Sequence, residues 1–151
     1  MNLICDLLSF LNHIAPALVT VALGGFLIHR FFIRRSNIAN IIDSICEKLA
    51  GLKSDCASYW SIGYAETEKS KLSILEANIK ASLTCIEREI RFLNEKYKIN
   101  ITKQQAEMLT LMDCCTGGDF ESKNRKANKE RFFKIVNSTN EIAFSLQHNK
   151  I

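Results

Sequence analysis

Positive charge is missing from the start of the chain. No Lys or Arg precedes Arg30, and Asp6 is the only charged residue before it. A secretory signal peptide opens with a positively charged segment, so this pattern disfavours one, and a cleaved signal peptide is kept as the alternative. Proline is equally scarce, since Pro16 is the only one. Because proline interrupts helices, the chain beyond Pro16 can form long ones.

The residue types of common catalytic and metal sites are few or badly spaced. The histidines are His13, His29 and His148, and the six cysteines contain no CxxC pair, which argues against a zinc site. The phosphate-binding patterns GxxxxGK[ST] and GxGxxG are absent. No carboxylate pair is isolated on an apolar face, as a general acid or base requires. We predict no catalytic residues, no metal and no cofactor.

The first part of the chain does contain a long apolar stretch. Residues 14–28 carry no charge, and 14–33 are long enough to cross a bilayer as one helix. A buried core helix is the alternative, but the arginines that follow fit it poorly. Because every Lys and Arg lies at or beyond Arg30, the N-terminus is expected outside and the rest in the cytoplasm of a cell inner membrane. We predict an outer interfacial segment at 1–13, a transmembrane helix at 14–35 and a cytosolic domain at 36–151.

Small residues share one face of the predicted span. Ala17, Thr20 and Gly24 recur at helical spacing there. In lipid, small residues let helices approach closely and associate. This face predicts a homo-oligomer, although Gly and Ala are also common in membrane helices that do not associate.

Apolar residues recur at helical spacing through the rest of the chain, and no stretch alternates as a strand would. A heptad seam runs through 38–62 and consists of Ile38, Ile42, Ile45, Leu49, Leu52, Cys56 and Tyr59. Further helices are predicted over 67–98, over 102–116 behind a T-x-x-Q capping box, and over 119–147 with Asp119 as its cap. Because the turns are short, the fold class is predicted as all-α: one N-terminal transmembrane helix followed by a cytosolic antiparallel helical bundle or coiled-coil domain.

Six basic residues crowd into 123–134, just after a glycine pair. Backbone N–H groups at a helix start attract anions, and glycines permit close approach. The sequence therefore predicts a phosphate-binding site made of Thr116, Gly117, Gly118, Lys123, Arg125, Lys126, Lys129 and Arg131. The alternative is a solvated basic helix face, and two nearby carboxylates, Asp119 and Glu121, oppose an anion.

Aromatic and cysteine side chains leave further alternatives open. Tyr59 and Trp60 at the end of the first cytosolic helix are candidates for an exposed partner site, with core packing the favoured role for Tyr59. Phe132, Phe133 and Phe144 are expected to be buried in the bundle, and stacking on nucleotide bases is the alternative for Phe132 and Phe133. The five cysteines beyond Cys5 are interpreted as small buried residues of a reducing cytoplasm, with a Cys114–Cys115 redox pair as the alternative.

The order of an N-terminal span, a positive flank and a small cytosolic domain resembles the small membrane-anchored effectors of prokaryotic antiviral defence. These include effectors gated by cyclic oligonucleotides in type III CRISPR or related signalling. The resemblance lies in layout and matches no motif residue by residue. It implies oligomerisation, binding of a cyclic oligonucleotide or other nucleotide ligand, and disruption of membrane lipid. The alternative function is a non-catalytic membrane tether or scaffold that recruits a protein partner through its coiled-coil helices.

Overall fold

The computed structural model describes residues 3–148, and the side chains of residues 19–148. Its helices are α1 (Leu3–Ser61), α2 (Lys69–Tyr97), α3 (Thr102–Thr116) and α4 (Lys129–Gln147), with a 3-10 turn at Glu66–Glu68 before α2. No strand occurs between residues 3 and 148. The prediction of an all-α fold with a helical bundle is confirmed.

Contacts divide the chain into two units, Met1–Asn37 and Ile38–Ile151. The first unit belongs to α1 and exposes large apolar side chains, namely Val19, Val21, Leu23, Phe26, Leu27, Ile28, Phe31, Phe32 and Ile33. Among the residues that the structure describes, no helix carries an apolar stretch long enough to cross a membrane. This finding does not support the predicted transmembrane helix at 14–35. The side chains of residues 14–18 lie outside the residues that the structure describes.

The second unit is built on the heptad seam. Ile42, Ile45, Leu49, Leu52, Cys56 and Tyr59 of the seam are buried. They pack with apolar residues of α2, α3 and α4 in one core, because burial removes their surface from water. The seam is thus covered by this chain's own helices.

Polar contacts show the relative direction of α1 and α2. Lys48 Nζ lies 2.7 Å from Glu89 Oε1, and Tyr59 Oη donates to Glu76 Oε1 over 2.8 Å. A later residue of α1 therefore meets an earlier residue of α2. The two segments are antiparallel, as the short connection predicted.

Helices α3 and α4 are also antiparallel. Thr102 and Gln104 at the start of α3 line a cavity with Phe144 and His148 near the end of α4. The buried face of α4 consists of Ile135, Thr139, Ile142 and Leu146. The predicted burial of Phe133 and Phe144 was wrong, because both fall off this face and are more than half exposed.

The predicted start of α4 was wrong, and so was the predicted cap of α3. Helix α4 begins at Lys129, not at Asp119, because Asn128 Oδ1 accepts a hydrogen bond from Arg131 N over 2.9 Å and so caps it. Helix α3 does start at Thr102, but its N-cap position is Ile101, which makes no side-chain cap hydrogen bond, and the side chain of the preceding Asn100 accepts from Thr102 N over 3.1 Å. Residues 117–128 consequently form an irregular loop, called here the 117–128 loop.

Candidate functional site

The 117–128 loop is attached to the C-terminal end of α1. Asn128 N donates to Trp60 O, and Glu121 N donates to Tyr59 Oη, each over 2.9 Å. Tyr64 N, just beyond the helix, donates to Arg125 O over 2.9 Å. The last carbonyls of a helix have no partner within it, so the loop supplies the missing donors.

Arg125 is buried at this junction, although the sequence predicted a surface cation. It is 3% exposed, and its guanidinium carbon lies 3.7 Å from the ring centroid of Tyr59. Its Nη1 donates to Tyr59 O. A cation at a helix C-terminus and over an aromatic face is favourable, so Arg125 has a structural role as a cap of α1.

Arg131, which belongs to α4, lies against the neighbouring Trp60. Its guanidinium carbon lies 4.5 Å from the ring centroid of Trp60, and its Nη1 donates to Gly117 O. Gly118 has φ +65, and a Cβ there would lie 2.8 Å from Arg131 Nη2. The positive φ favours glycine at 118, and a larger residue there would also displace the end of the Arg131 side chain. We call Trp60, Arg125 and Arg131 the arginine cluster.

The arginine cluster holds buried donors without acceptors. Arg125 Nη2 and Trp60 Nε1 have no hydrogen-bond partner within residues 19–148, and Trp60 is fully buried. Across residues 19–148, no carboxylate forms an ion pair with Arg125 or Arg131. A buried charge without a counter-charge is costly, as is a buried donor without an acceptor. The cluster is therefore positively charged and contains two hydrogen-bond donors that could bind an acceptor.

Beside the cluster lies a cleft of about 290 Å³. It is lined by Asp113, Cys114, Asn128, Glu130, Arg131 and Lys134. Glu130 Oε1 already lies 3.0 Å from Lys134 Nζ, which offsets one of the two acidic side chains. Because Arg131 lines this cleft, solvent or an anion that enters the cleft reaches the edge of the arginine cluster.

The two carboxylates that opposed anion binding in the sequence are engaged elsewhere. Asp119 Oδ2 accepts from Lys126 N over 3.3 Å. Glu121 pairs with Lys80 of α2. Within residues 19–148, neither forms an ion pair with Arg125 or Arg131.

The structure separates the predicted site residues into two groups. Gly117, Gly118, Arg125 and Arg131 come together around Trp60. The side chains of Lys123, Lys126 and Lys129 are exposed instead. Thr116 belongs to its own helix, where its Oγ1 donates to Met112 O over 2.8 Å.

Trp60 is the residue that sequence reasoning misplaced. It was a candidate for an exposed partner site, and this was wrong, because the 117–128 loop and its two neighbouring arginines cover it. Tyr59 is buried as favoured, and burial raises the pKa of its hydroxyl to about 12. Aromatic–cation pairing between a helix end and a loop 65 residues later leaves no periodic signal in the sequence.

The predicted packing face of the first unit is only partly described. The side chain of Ala17 lies outside the described residues. Thr20 is exposed, and a Cβ placed at Gly24 would meet no atom within 4 Å. Self-association through this face stays a prediction.

Comparisons with protein-family models, curated proteins and solved structures give no match to this chain.

Proposed function

We propose that this chain is a membrane-anchored, non-catalytic protein that senses a phosphate-bearing ligand at the arginine cluster. The observation that carries the proposal is the pair of buried donors without acceptors, Arg125 Nη2 and Trp60 Nε1. A phosphate group offers several acceptor oxygens and negative charge at one place. It would satisfy both donors and neutralise the two guanidinium groups.

Arginine suits this ligand for a geometric reason. Its planar fork donates two parallel hydrogen bonds to a phosphate, and each arginine of the cluster has one Nη group committed to a backbone carbonyl. The Nη2 group of Arg125 is the buried donor that is left for an anion. A nucleotide is the natural class of ligand, and the layout's resemblance to defence effectors points to a cyclic oligonucleotide.

The membrane part of the proposal is supported by the apolar side chains that α1 exposes between Val19 and Ile33. Leaving such side chains in water costs about 25 cal/mol per Å² of apolar surface. Arg30 lies within this stretch, and Arg34 and Arg35 follow it. All three suit anionic headgroups at a cytoplasmic surface. We propose a single-pass inner-membrane protein with its helical bundle in the cytoplasm.

The output of an effector would be membrane disruption by several copies. One helix per chain cannot enclose a pore, so a homo-oligomer is part of this proposal. Trp60 and the exposed apolar side chains belong to the same helix, α1. Ligand binding at its end therefore acts on the element that carries the anchor.

A tether or scaffold is the second candidate. The seam predicted for partner recruitment is buried, but Leu109, Phe133 and Phe144 on α3 and α4 are each more than 60% exposed. Exposed large apolar side chains are typical of partner surfaces. In this function the protein partner binds α3 and α4, and the arginine cluster is only a helix cap.

Thermal unfolding with candidate ligands tests the sensing function. The full chain in detergent and phosphate-free buffer is heated with inorganic phosphate, mononucleotides or cyclic dinucleotides, and compared with Arg125→Met and Lys126→Ala. Ligand at about 100 times Kd stabilises the folded state by about 2.7 kcal/mol, so the unfolding midpoint of the wild type should rise. The rise should disappear in Arg125→Met and persist in Lys126→Ala, whose side chain is exposed. No rise in the wild type, or an equal rise in Arg125→Met, contradicts the proposal and favours the tether.

A further inference from the structure

Two cysteines from different helices meet in the core of the second unit. Cys56 of α1 and Cys115 of α3 are both fully buried free thiols, and their Sγ atoms are 3.7 Å apart. The contact lies next to the arginine cluster in sequence, since Cys56 precedes Trp60 by one helical turn and Cys115 nearly ends α3. Neither thiol has a role in ligand binding as proposed above.

The distance brings the pair close to bonding geometry. Disulfide sulfurs are about 2.05 Å apart, so the two Sγ atoms must approach by less than 2 Å. Small side-chain rotations can supply such an approach. We propose that Cys56 and Cys115 form a reversible disulfide under oxidation, which links the end of α1 to the end of α3.

A hydroperoxide is the oxidant that this reaction requires. One thiolate sulfur attacks a peroxide oxygen, the O–O bond breaks, and a sulfenic acid forms while the other oxygen leaves as water or an alcohol. The second thiol then attacks the sulfenic sulfur, the S–S bond forms and a second water leaves. Two thiols are thereby oxidised by two electrons, and the peroxide is reduced.

The surroundings make this pair slow to react. The contact with Cys56, together with burial, raises the pKa of the Cys115 thiol, so the reactive thiolate is scarce. Exposed Cys85 should react with an alkylating reagent first. In a reducing cytoplasm both buried thiols stay reduced, and the link forms only under sustained oxidation, as cytosolic regulatory disulfides do.

The consequence is a more rigid junction. Cross-linking two residues far apart in sequence restricts the unfolded chain, and native disulfides of long loops are typically strongly stabilising. The same link fixes the two helix ends on which the 117–128 loop rests. This inference does not depend on the proposed ligand, because the thiols meet whether or not a phosphate binds.

Peptide mapping of the peroxide-treated full chain tests whether Cys56 and Cys115 form a disulfide. The treated protein is alkylated under denaturing conditions, digested without reductant and analysed by mass spectrometry, with Cys85→Ser as the control. We expect a peptide pair joined through Cys56 and Cys115 in both proteins, together with an unfolding midpoint raised by roughly 10 °C that dithiothreitol reverses.

Other mapping results overturn the proposal. These are a bond between Cys114 and Cys115, bonds only between chains, or full alkylation of Cys56 and Cys115 after prolonged peroxide treatment. Because the mapping uses the wild-type chain, it does not depend on whether a cysteine variant folds. A Cys56→Ala variant that still shows the reversible rise in midpoint would contradict it independently.

Discussion

The guanidinium of Arg125 lies over the ring of Tyr59, with its central carbon 3.7 Å from the ring centroid. Its Nη1 donates to the carbonyl of Tyr59, and its Nη2 has no acceptor in the part of the chain that the structure describes. The first contact explains why the loop residue stabilises the end of α1. The second is not needed for that role, and the proposed ligand site rests on it.

Gly118→Ala should destabilise the fold and displace Arg131. The position has φ +65, and the added Cβ would lie 2.8 Å from Arg131 Nη2. We expect a loss of about 1–3 kcal/mol of unfolding free energy in urea titrations. Gly51→Ala is the matched control, since nothing lies within 4 Å of its Cβ and alanine in a helix is favoured by about 0.5–1 kcal/mol. Equal effects of the two changes would contradict the close approach at Gly118.

Asn128→Ala should cost about 1 kcal/mol, because the Asn128 side chain caps α4. Asp119→Ala is its control. Asp119 was the cap predicted from sequence, and in the structure its side-chain Oδ2 accepts from the backbone N–H of Lys126 instead. We expect its effect to stay within about 0.5 kcal/mol in the same urea titrations. A larger cost for Asp119→Ala would place the start of α4 where the sequence had predicted it.

Stability should fall at high pH because of Tyr59. Its pKa is raised from 10.0 to about 12 by burial, so the folded state favours the neutral hydroxyl. This contribution is complete below pH 10, where the unfolded chain also keeps its tyrosine protons. It is lost as the pH rises toward 12, because the unfolded chain ionises first. Unfolding free energies measured from pH 8 to 11 should decline less steeply in Tyr59→Phe, and parallel curves would exclude Tyr59 as the cause.

Membrane binding should depend on the apolar residues of the first unit. Burial of a side chain such as Leu or Phe contributes about 1.5–3 kcal/mol, so Leu27→Glu/Phe31→Glu should reduce vesicle binding more than tenfold. Flotation with vesicles of phosphatidylethanolamine and phosphatidylglycerol measures this. Ile74→Glu is the control, since Ile74 is 59% exposed in the second unit and Phe31 is 60% exposed in the first. If Ile74→Glu weakens binding as much, the anchor is not the apolar stretch of α1.

Periodic features of the fold could be predicted from sequence, and single contacts could not. The seam from Ile42 to Tyr59 and the helices over α2 and α3 followed from spacing alone, because burial of an apolar stripe decides them. The start of α4 was missed because Asp119 and Asn128 are both good caps, and only tertiary contacts of the loop choose between them. Similarly, composition could identify Arg125 as basic, but its burial depends on a helix end 65 residues earlier in the chain.

The indole N–H of Trp60 offers the most direct measurement of the central claim. Trp60 is the only tryptophan, so its Nε1–H gives a single indole resonance in a proton–nitrogen NMR spectrum of the labelled full chain. Titration with inorganic phosphate and with a cyclic dinucleotide should shift this resonance downfield in a saturable way, as the donor gains an acceptor. The shift should be absent in Arg125→Met and present in Lys126→Ala. An indole resonance that stays fixed in the wild type throughout both titrations would contradict phosphate sensing at the arginine cluster.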